Sequence, residues 1–276
     1  MERSTLVKDI LVEITKILNP LIPRASREAQ LLLMHHVHQD ELWLMTHKNT
    51  HVEDVATLFE WVERRAKNEP LEYITQSVSF YSEDFYISHG ALIPRPETEL
   101  LIDEVIQNVP DKNTTMTFVE VGVGSGIISI MLAKEFVNAK FIAVDISPAA
   151  LEIAKINIEK FGLSNQIELR LGSLLEPINE QVDYLVSNPP YIANDAYLES
   201  NLSYEPQNAL FGGTIGDEII QELLNEVLKR KINFFTCEIG YDQQDKIMNF
   251  LKKATFKNLN FYKDLSGFDR GFTLKL

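Results

Sequence analysis

Thr117-Phe118-Val119-Glu120-Val121-Gly122-Val123-Gly124-Ser125-Gly126 decides the fold: a mostly apolar run carrying one carboxylate leads straight into three glycines at alternate positions. An apolar run of this length suits a strand buried on both faces. The glycines let the chain turn sharply into a helix and bring bare backbone close to a ligand. Outward from this stretch the pattern alternates. Strands are predicted over residues 141–144, 167–171, 182–186 and 232–237, and helices over 127–136, 148–161, 217–228 and 243–253. Such βαβα order implies an α/β fold with a mostly parallel sheet covered on both faces. Two last runs, 259–262 and 272–274, flank Gly267 and Gly271 and suit a closing hairpin.

Upstream the period changes. Leu6, Ile10, Ile14, Ile17 and Leu18 recur at helical spacing until Asn19-Pro20 stops them. A second helix is predicted from Ser26, and a third over residues 52–67 with Val55, Leu58, Phe59 and Val62 as its stripe. The first ~70 residues therefore read as a small helical bundle. Between residues 76 and 94, Phe80-Tyr81 and Phe85-Tyr86-Ile87 are separated by Ser82-Glu83-Asp84, which predicts a hairpin. The expected division is a helical amino-terminal domain over 1–74, a hairpin linker over 75–95 and the α/β domain over 96–276.

The chain has 276 residues, 45% hydrophobic, and a net charge of −14. Both the bundle and the remainder are acidic, so an extended grip on nucleic-acid phosphates is disfavoured. No apolar run reaches the roughly 20 residues of a membrane span, and no signal peptide is visible at Met1-Glu2-Arg3-Ser4-Thr5. The lone Cys237 rules out an internal disulfide and reads as a small buried hydrophobe. Histidines at 35, 36, 38, 47 and 51 lack a cysteine or a paired histidine–glutamate motif. A solvated helix face explains them better than a metal site, and none is expected.

Three segments carry the chemistry. The loop Gly122-Val123-Gly124-Ser125-Gly126 departs from the dinucleotide spacing Gly-x-Gly-x-x-Gly, with Ile127 where that pattern needs glycine, and so suits a ligand without phosphates such as S-adenosylmethionine. A glycine-rich turn alone can also be structural. Asp145, followed by Ile146, stands 19 residues after Gly126, where a carboxylate can accept both ribose hydroxyls, while Ser147 can cap the helix beginning at Pro148. Asn188-Pro189-Pro190-Tyr191 follows the fourth strand of the α/β segment. The Asn188 side-chain oxygen and the Pro189 carbonyl can each accept one hydrogen of a planar NH2 group. The prolines fix the loop, and Tyr191 can lie against the flat face of the acceptor. Asn-Pro-Pro is also a good turn after a strand, but in an open α/β sheet all three segments fall beyond the carboxyl ends of the strands, where ligands bind.

With these residues in view, the chain resembles the HemK/PrmC methyltransferases, which methylate the glutamine of the Gly-Gly-Gln loop of peptide chain release factors. The resemblance runs through Pro70-Leu71-Glu72-Tyr73-Ile74, Leu92-Ile93-Pro94-Arg95-Pro96-Glu97-Thr98-Glu99, the glycine loop, Ala143-Val144-Asp145 and Val186-Ser187-Asn188-Pro189-Pro190-Tyr191-Ile192. It continues through Glu205-Pro206, Ala209-Leu210, Gly212-Gly213, Glu238-Ile239-Gly240 and Asp264-Leu265-Ser266-Gly267. It implies a class I S-adenosylmethionine-dependent methyltransferase fold, Rossmann-like with a mostly parallel seven-stranded sheet, behind a small all-α substrate-docking domain. It further implies S-adenosyl-L-methionine as donor, S-adenosyl-L-homocysteine as product, and release factors 1 and 2 as acceptors of a monomeric cytoplasmic enzyme.

In that pattern Glu120, Gly122, Val123, Gly124, Ser125, Gly126, Asp145, Ile146, Ser173, Leu174 and Asn188 line the donor site, and Asn188 to Tyr191 hold the glutamine amide. Two departures stand out. Glu120 occupies the head of the glycine loop where relatives carry Asp, and Gly172-Ser173-Leu174 stands where they carry Asp and a bulky residue near the adenine. Arg95 and Glu97 either order the hairpin over the cofactor or form an exposed ion pair. The alternative function is methylation of adenine N6 in nucleic acid, whose amine fits the same clamp but whose phosphates suit this acidic chain poorly. A catalytically silent donor-binding protein is the other, and the intact clamp speaks against it.

Overall fold

The computed structural model describes residues 4–109 and 111–276, so the first three positions of the expected helical domain lie outside the described residues. The chain divides into two compact units, one formed by residues up to Ser77 with Glu199–Tyr204, the other by Val78–Leu198 with Glu205–Leu276.

The first unit is helical. It holds α1 (Val7–Leu18), α2 (Ala25–Val37), α3 (Glu41–Thr46), α4 (Val55–Ala66) and α5 (Leu71–Thr75). The stripes read from the sequence form its core, with Ile10, Ile14, Leu18, Leu58, Phe59 and Val62 fully or almost fully buried. Two short helices escaped the reading because neither is long enough to show a period: α3 is started by the Asp40 side chain, which accepts from the Trp43 N–H. The histidines are used locally. His36 contacts the Glu53 carbonyl at 3.0 Å and the edge of Trp61, and His47 stacks on Trp43. Among the described residues no group of three His, Cys, Asp or Glu could hold a metal ion.

The second unit begins with a two-stranded hairpin, β1 (Ser77–Phe80) and β2 (Glu83–Tyr86), whose first residue falls in the other unit. The turn is Tyr81-Ser82, with φ of 50° and 61°, so Glu83 and Asp84 belong to the second strand rather than to the separator. Two-residue hairpin turns of type I′ need positive φ at both positions and usually take Asn-Gly. Here Tyr81 tolerates it because Glu99 accepts from its N–H at 3.0 Å and Asp103 from its hydroxyl at 2.6 Å. Those acceptors lie on α6 (Thr98–Asn108), a helix the sequence reading did not place.

Seven strands make the central sheet: β3 (Thr117–Val121), β4 (Lys140–Asp145), β5 (Ile167–Leu171), β6 (Tyr184–Ser187), β9 (Phe234–Glu238), β10 (Asn258–Lys263) and β11 (Asp269–Lys275). Their order is β10-β11-β9-β6-β3-β4-β5, parallel from β5 to β9, with the β10–β11 hairpin antiparallel at one edge. The fold expectation is met. Helices α7 (Ile127–Glu135), α8 (Pro148–Lys160), α9 (Glu218–Arg230) and α10 (Gln244–Leu251) cover it. Side chains alternate between two cores: Phe118, Phe141 and Tyr184 pack with α7 and α8, whereas Val119, Ile142 and Leu185 pack with α9 and α10. A pair of very short parallel strands, β7 (Ile192–Ala193) and β8 (Phe211–Gly213), lies outside the main sheet. Among the described residues no helix is long and apolar enough to cross a membrane.

The strand order reverses between β3 and β6, which opens a crevice at their carboxyl ends. One buried asparagine braces it. Asn157 on α8 accepts from the Tyr86 N–H at 2.7 Å and donates to the Tyr86 carbonyl at 2.9 Å and the Ser125 carbonyl at 2.8 Å, joining hairpin, helix and glycine loop. Asn157→Ala leaves these backbone groups buried without partners. It is expected to cost ~2–3 kcal/mol, read as a fall of roughly 5–10 °C in melting temperature.

Candidate active site

The glycine loop turns back over the end of β4, with the Gly122 and Val123 N–H groups donating to the Val144 carbonyl at 2.9 and 3.1 Å. Gly122, Gly124 and Gly126 have φ of 78°, 52° and 84°, a region costly for any residue with a Cβ. A side chain at Gly126 would also meet the Ala154 Cβ at 3.3 Å, so this glycine seats α8 against the loop. Gly124 has no neighbour within 4 Å of where a Cβ would sit.

Asp145 closes the loop from the next strand. Its two oxygens accept from the Gly124 N–H at 3.0 Å and the Ser147 N–H at 2.9 Å. Each oxygen keeps a further lone pair for a hydroxyl. Burial raises its pKa, and the N–H donors oppose that rise. Ser147 caps α8 by accepting from the Ala150 N–H at 3.3 Å, so capping and carboxylate roles fall on different residues.

Glu120 lies at the floor, 1% exposed. Its Oε2 accepts from the Ser129 N–H at 2.9 Å and from the Ser129 hydroxyl, while Oε1 has no protein partner. Burial pushes this carboxyl up to about 8, against the two Ser129 hydrogen bonds that lower it. An orphaned carboxylate oxygen costs free energy until a donor reaches it.

Beside β3, the strand β6 delivers Asn188, whose Nδ2 donates to the Thr98 hydroxyl at 3.2 Å. Thr98 in turn donates to Glu238 Oε2 at 2.8 Å, and the Tyr191 hydroxyl donates to Glu238 Oε1 at 3.3 Å. The loop itself is held from outside. Gln243 donates to the Tyr191 carbonyl at 3.1 Å and the Gly216 carbonyl at 3.0 Å, and a Cβ at Gly212 would lie 2.3 Å from the Pro190 carbonyl oxygen.

A cavity of about 180 Å³ unites these parts. Of the residues singled out from sequence, Glu120, Gly122, Val123, Gly124, Ser125, Asp145, Ile146, Ser173, Leu174, Asn188, Pro189, Pro190 and Arg95 line it. Gly126, Tyr191 and Glu97 stand outside the lining: Gly126 under α8, Tyr191 anchored by its hydroxyl, and Glu97 just ahead of α6. Arg95 pairs with Glu205 at 2.5 Å and donates to the Ile93 carbonyl at 2.7 Å, and Glu205 also accepts from the Ile93 N–H at 3.0 Å. Its ion-pair partner is thus a buried carboxylate far along the chain. Thr98, Ile219 and Glu222 also line the cavity, and sequence reasoning gave them no role. Thr98 and Glu238 lie in strings that carry the resemblance, yet only folding shows that they meet.

The donor set fits an S-adenosylmethionine-like ligand: an unpartnered buried carboxylate for an ammonium, a carboxylate with spare acceptors for a ribose, and bare glycine backbone between them. Two family models match the chain, a PrmC N-terminal domain over residues 9–75 and a methyltransferase small domain over residues 96–205. The release factor glutamine methyltransferase of Koribacter versatilis (strain Ellin345) is 38% identical over 257 residues, covering 90% of this chain and 89% of that protein. The protein of the same name from Dictyoglomus turgidum is 37% identical, covering 89% of each. Among solved structures, the catalytic domain of hMettl16 in complex with a MAT2A 3′UTR hairpin superposes with a TM-score of 0.56 at 15% identity, over 69% of this chain and 74% of that one. A ribosomal protein L11 methylase from Lactobacillus delbrueckii subsp. bulgaricus gives 0.50 at 23%, over 68% and 83%. These two share the fold.

Glu120 makes a testable prediction. With its pKa raised to about 8, the carboxyl holds a proton at lower pH, and an ammonium docking on it favours the ionised form. Binding of S-adenosylmethionine at about pH 6.5 is therefore expected to release close to one proton. Affinity should strengthen as pH rises toward about 8. Calorimetry in two buffers of different ionisation enthalpy measures the release, and Glu120→Gln should abolish it.

Proposed function

This chain belongs to the release factor glutamine methyltransferase family, and we propose that its acceptors are both bacterial peptide chain release factors, 1 and 2. Each is methylated on the side-chain amide nitrogen of the glutamine in its Gly-Gly-Gln loop. The enzyme is an S-adenosyl-L-methionine-dependent methyltransferase, and the bound donor supplies an electrophilic methyl on a sulfonium. Glu120, the glycine loop and Asp145 hold that donor, with Ser173 and Leu174 forming the wall beyond β5.

A single observation carries the reading: Asn188 has its Nδ2 committed to Thr98, which leaves Oδ1 as an acceptor on a residue lining the same cavity as Glu120. Asn188 Oδ1 and the Pro189 carbonyl grip the two N–H groups of the glutamine, turning a delocalised, weakly nucleophilic nitrogen toward the donor. The work is alignment and electrostatics. The amide becomes strongly acidic once alkylated, so it sheds its proton without a protein base, in keeping with a loop that contains no histidine.

In this reading residues 1–74 dock the acceptor, residues 75–95 link, and residues 96–276 perform the transfer, in a cytoplasmic monomer. Incubation with donor and either release factor should add about 14 Da, the mass of one CH2, to the Gly-Gly-Gln peptide in a mass-spectrometric map, while duplex DNA offered in parallel stays unlabelled. Label on adenine instead would reverse the assignment. Asn188→Ala is expected to lower turnover at least ~10²-fold, measured as methyl transfer at saturating donor; near wild-type turnover would remove Asn188 from the clamp.

A further inference from the structure

Glu238 is buried at the carboxyl end of β9, 2% exposed, next to a site it does not line. No part of the transfer described above uses it. Both of its oxygens are nevertheless engaged, Oε2 by Thr98 and Oε1 by Tyr191. Burying a carboxylate is expensive, and the two donors it receives do not restore the ordinary acidity of the group. What the group touches is one link away from the reacting amide.

We propose that Glu238, acting through the Thr98 hydroxyl, is the positioning residue that fixes which end of the Asn188 amide faces the acceptor. The inference rests on the reading of Asn188 as the group that grips the glutamine. An asparagine amide is nearly symmetric in shape, and only the polarity of its hydrogen bonds tells its oxygen end from its nitrogen end. A carboxylate accepts and cannot donate. The Thr98 hydroxyl has one proton, gives it to Glu238 at 2.8 Å, and can then only accept from Asn188, at 3.2 Å. The Asn188 oxygen is thereby turned outward, the one orientation that accepts a hydrogen from the acceptor's NH2.

A proton on Glu238 reverses the chain. The acid then donates to Thr98, Thr98 donates to the Asn188 oxygen, and the amide turns its own NH2 toward the NH2 of the glutamine. The charged and titratable groups around Glu238 set where this happens. Burial, the largest influence, and the Glu97 charge oppose the carboxylate, the Thr98 and Tyr191 hydrogen bonds and the Arg270 charge favour it, and the net result holds the carboxyl up at about 7. Arg270 is itself engaged by Asp264 at 2.8 Å. Cys237 and Tyr262, which feel the charge of Glu238, have their pKa values raised by burial and stay neutral there.

The test is steady-state transfer to release factor 1 at saturating donor, where kcat reports the ternary complex and Glu120 is held ionised by the donor's ammonium. Wild-type kcat is expected to rise with pH through about 7. Thr98→Ser should retain kcat and the pH limb. Thr98→Val should lower kcat ~10- to ~100-fold at nearly unchanged KM, as expected when orientation at the reacting atom is lost. Glu238→Gln, which can present oxygen or nitrogen to Thr98, should lower kcat and remove the acid limb, while calorimetric donor affinity shows that each variant is folded. A Glu238→Gln enzyme with wild-type kcat, or with the acid limb intact, overturns the proposal while leaving the functional reading standing. A wild-type enzyme that leaves the Gly-Gly-Gln glutamine unmethylated overturns both.

Discussion

Three parallel strands that end level with one another set everything at the site. Val121 lies opposite Ser187, and Ser187 opposite Cys237, so the residues that follow, Gly122, Asn188 and Glu238, emerge side by side. Because side chains alternate across a strand, a slip of one residue in either ladder would send the wrong face to the crevice. Register is pinned by the two cores. Phe118, Phe141 and Tyr184 stack ring on ring across neighbouring strands, with centroid separations of 4.8 and 5.3 Å. Such aromatic pairing on one face and aliphatic packing on the other leave little freedom for an alternative alignment.

Upon that frame one buried carboxylate lines the site and another lies beside it, and both work against stability. Glu120 and Glu238 are held up at about 8 and about 7 by loss of water. A carboxylate whose folded pKa exceeds its unfolded value favours the folded state only while protonated, so both groups weaken the fold as pH rises from their ordinary range through these values. What the acids provide is direction. One keeps an oxygen without a protein partner on a residue lining the cavity, and the other accepts the hydroxyl proton of Thr98.

Local patterns were legible in the sequence and long-range partnerships were not. The glycine loop, β3 and β5 fall where spacing and apolar runs put them, because both are short-range signals that burial on two faces makes strong. Helix α6 was hidden behind Pro94 and Pro96, whose turn character dominates the string, although Leu101, Ile102 and Val105 bury a regular face just beyond them. Asn157 is one polar residue on an amphipathic helix until Tyr86 and Ser125 are seen around it. Arg95 illustrates the same limit more sharply. Glu97 is near in sequence, yet the ion pair goes to Glu205, 110 positions away.

The wall beyond β5 shows how a departure from a family pattern can be a change of architecture and not a loss. Gly172 opens the string Gly172-Ser173-Leu174 that departs from the family's Asp and bulky residue, and a Cβ at Gly172 would lie 2.9 Å from the Pro177 ring. The space for a side chain is already filled by the following turn. Leu174, at φ 49°, pays for its left-handed backbone by lining the cavity while packing on the core under β3 and β4. Glycine, proline and the strained leucine thus form one unit. Any side chain at position 172 would collide with Pro177, so polarity on this wall has to come from Ser173 or from backbone.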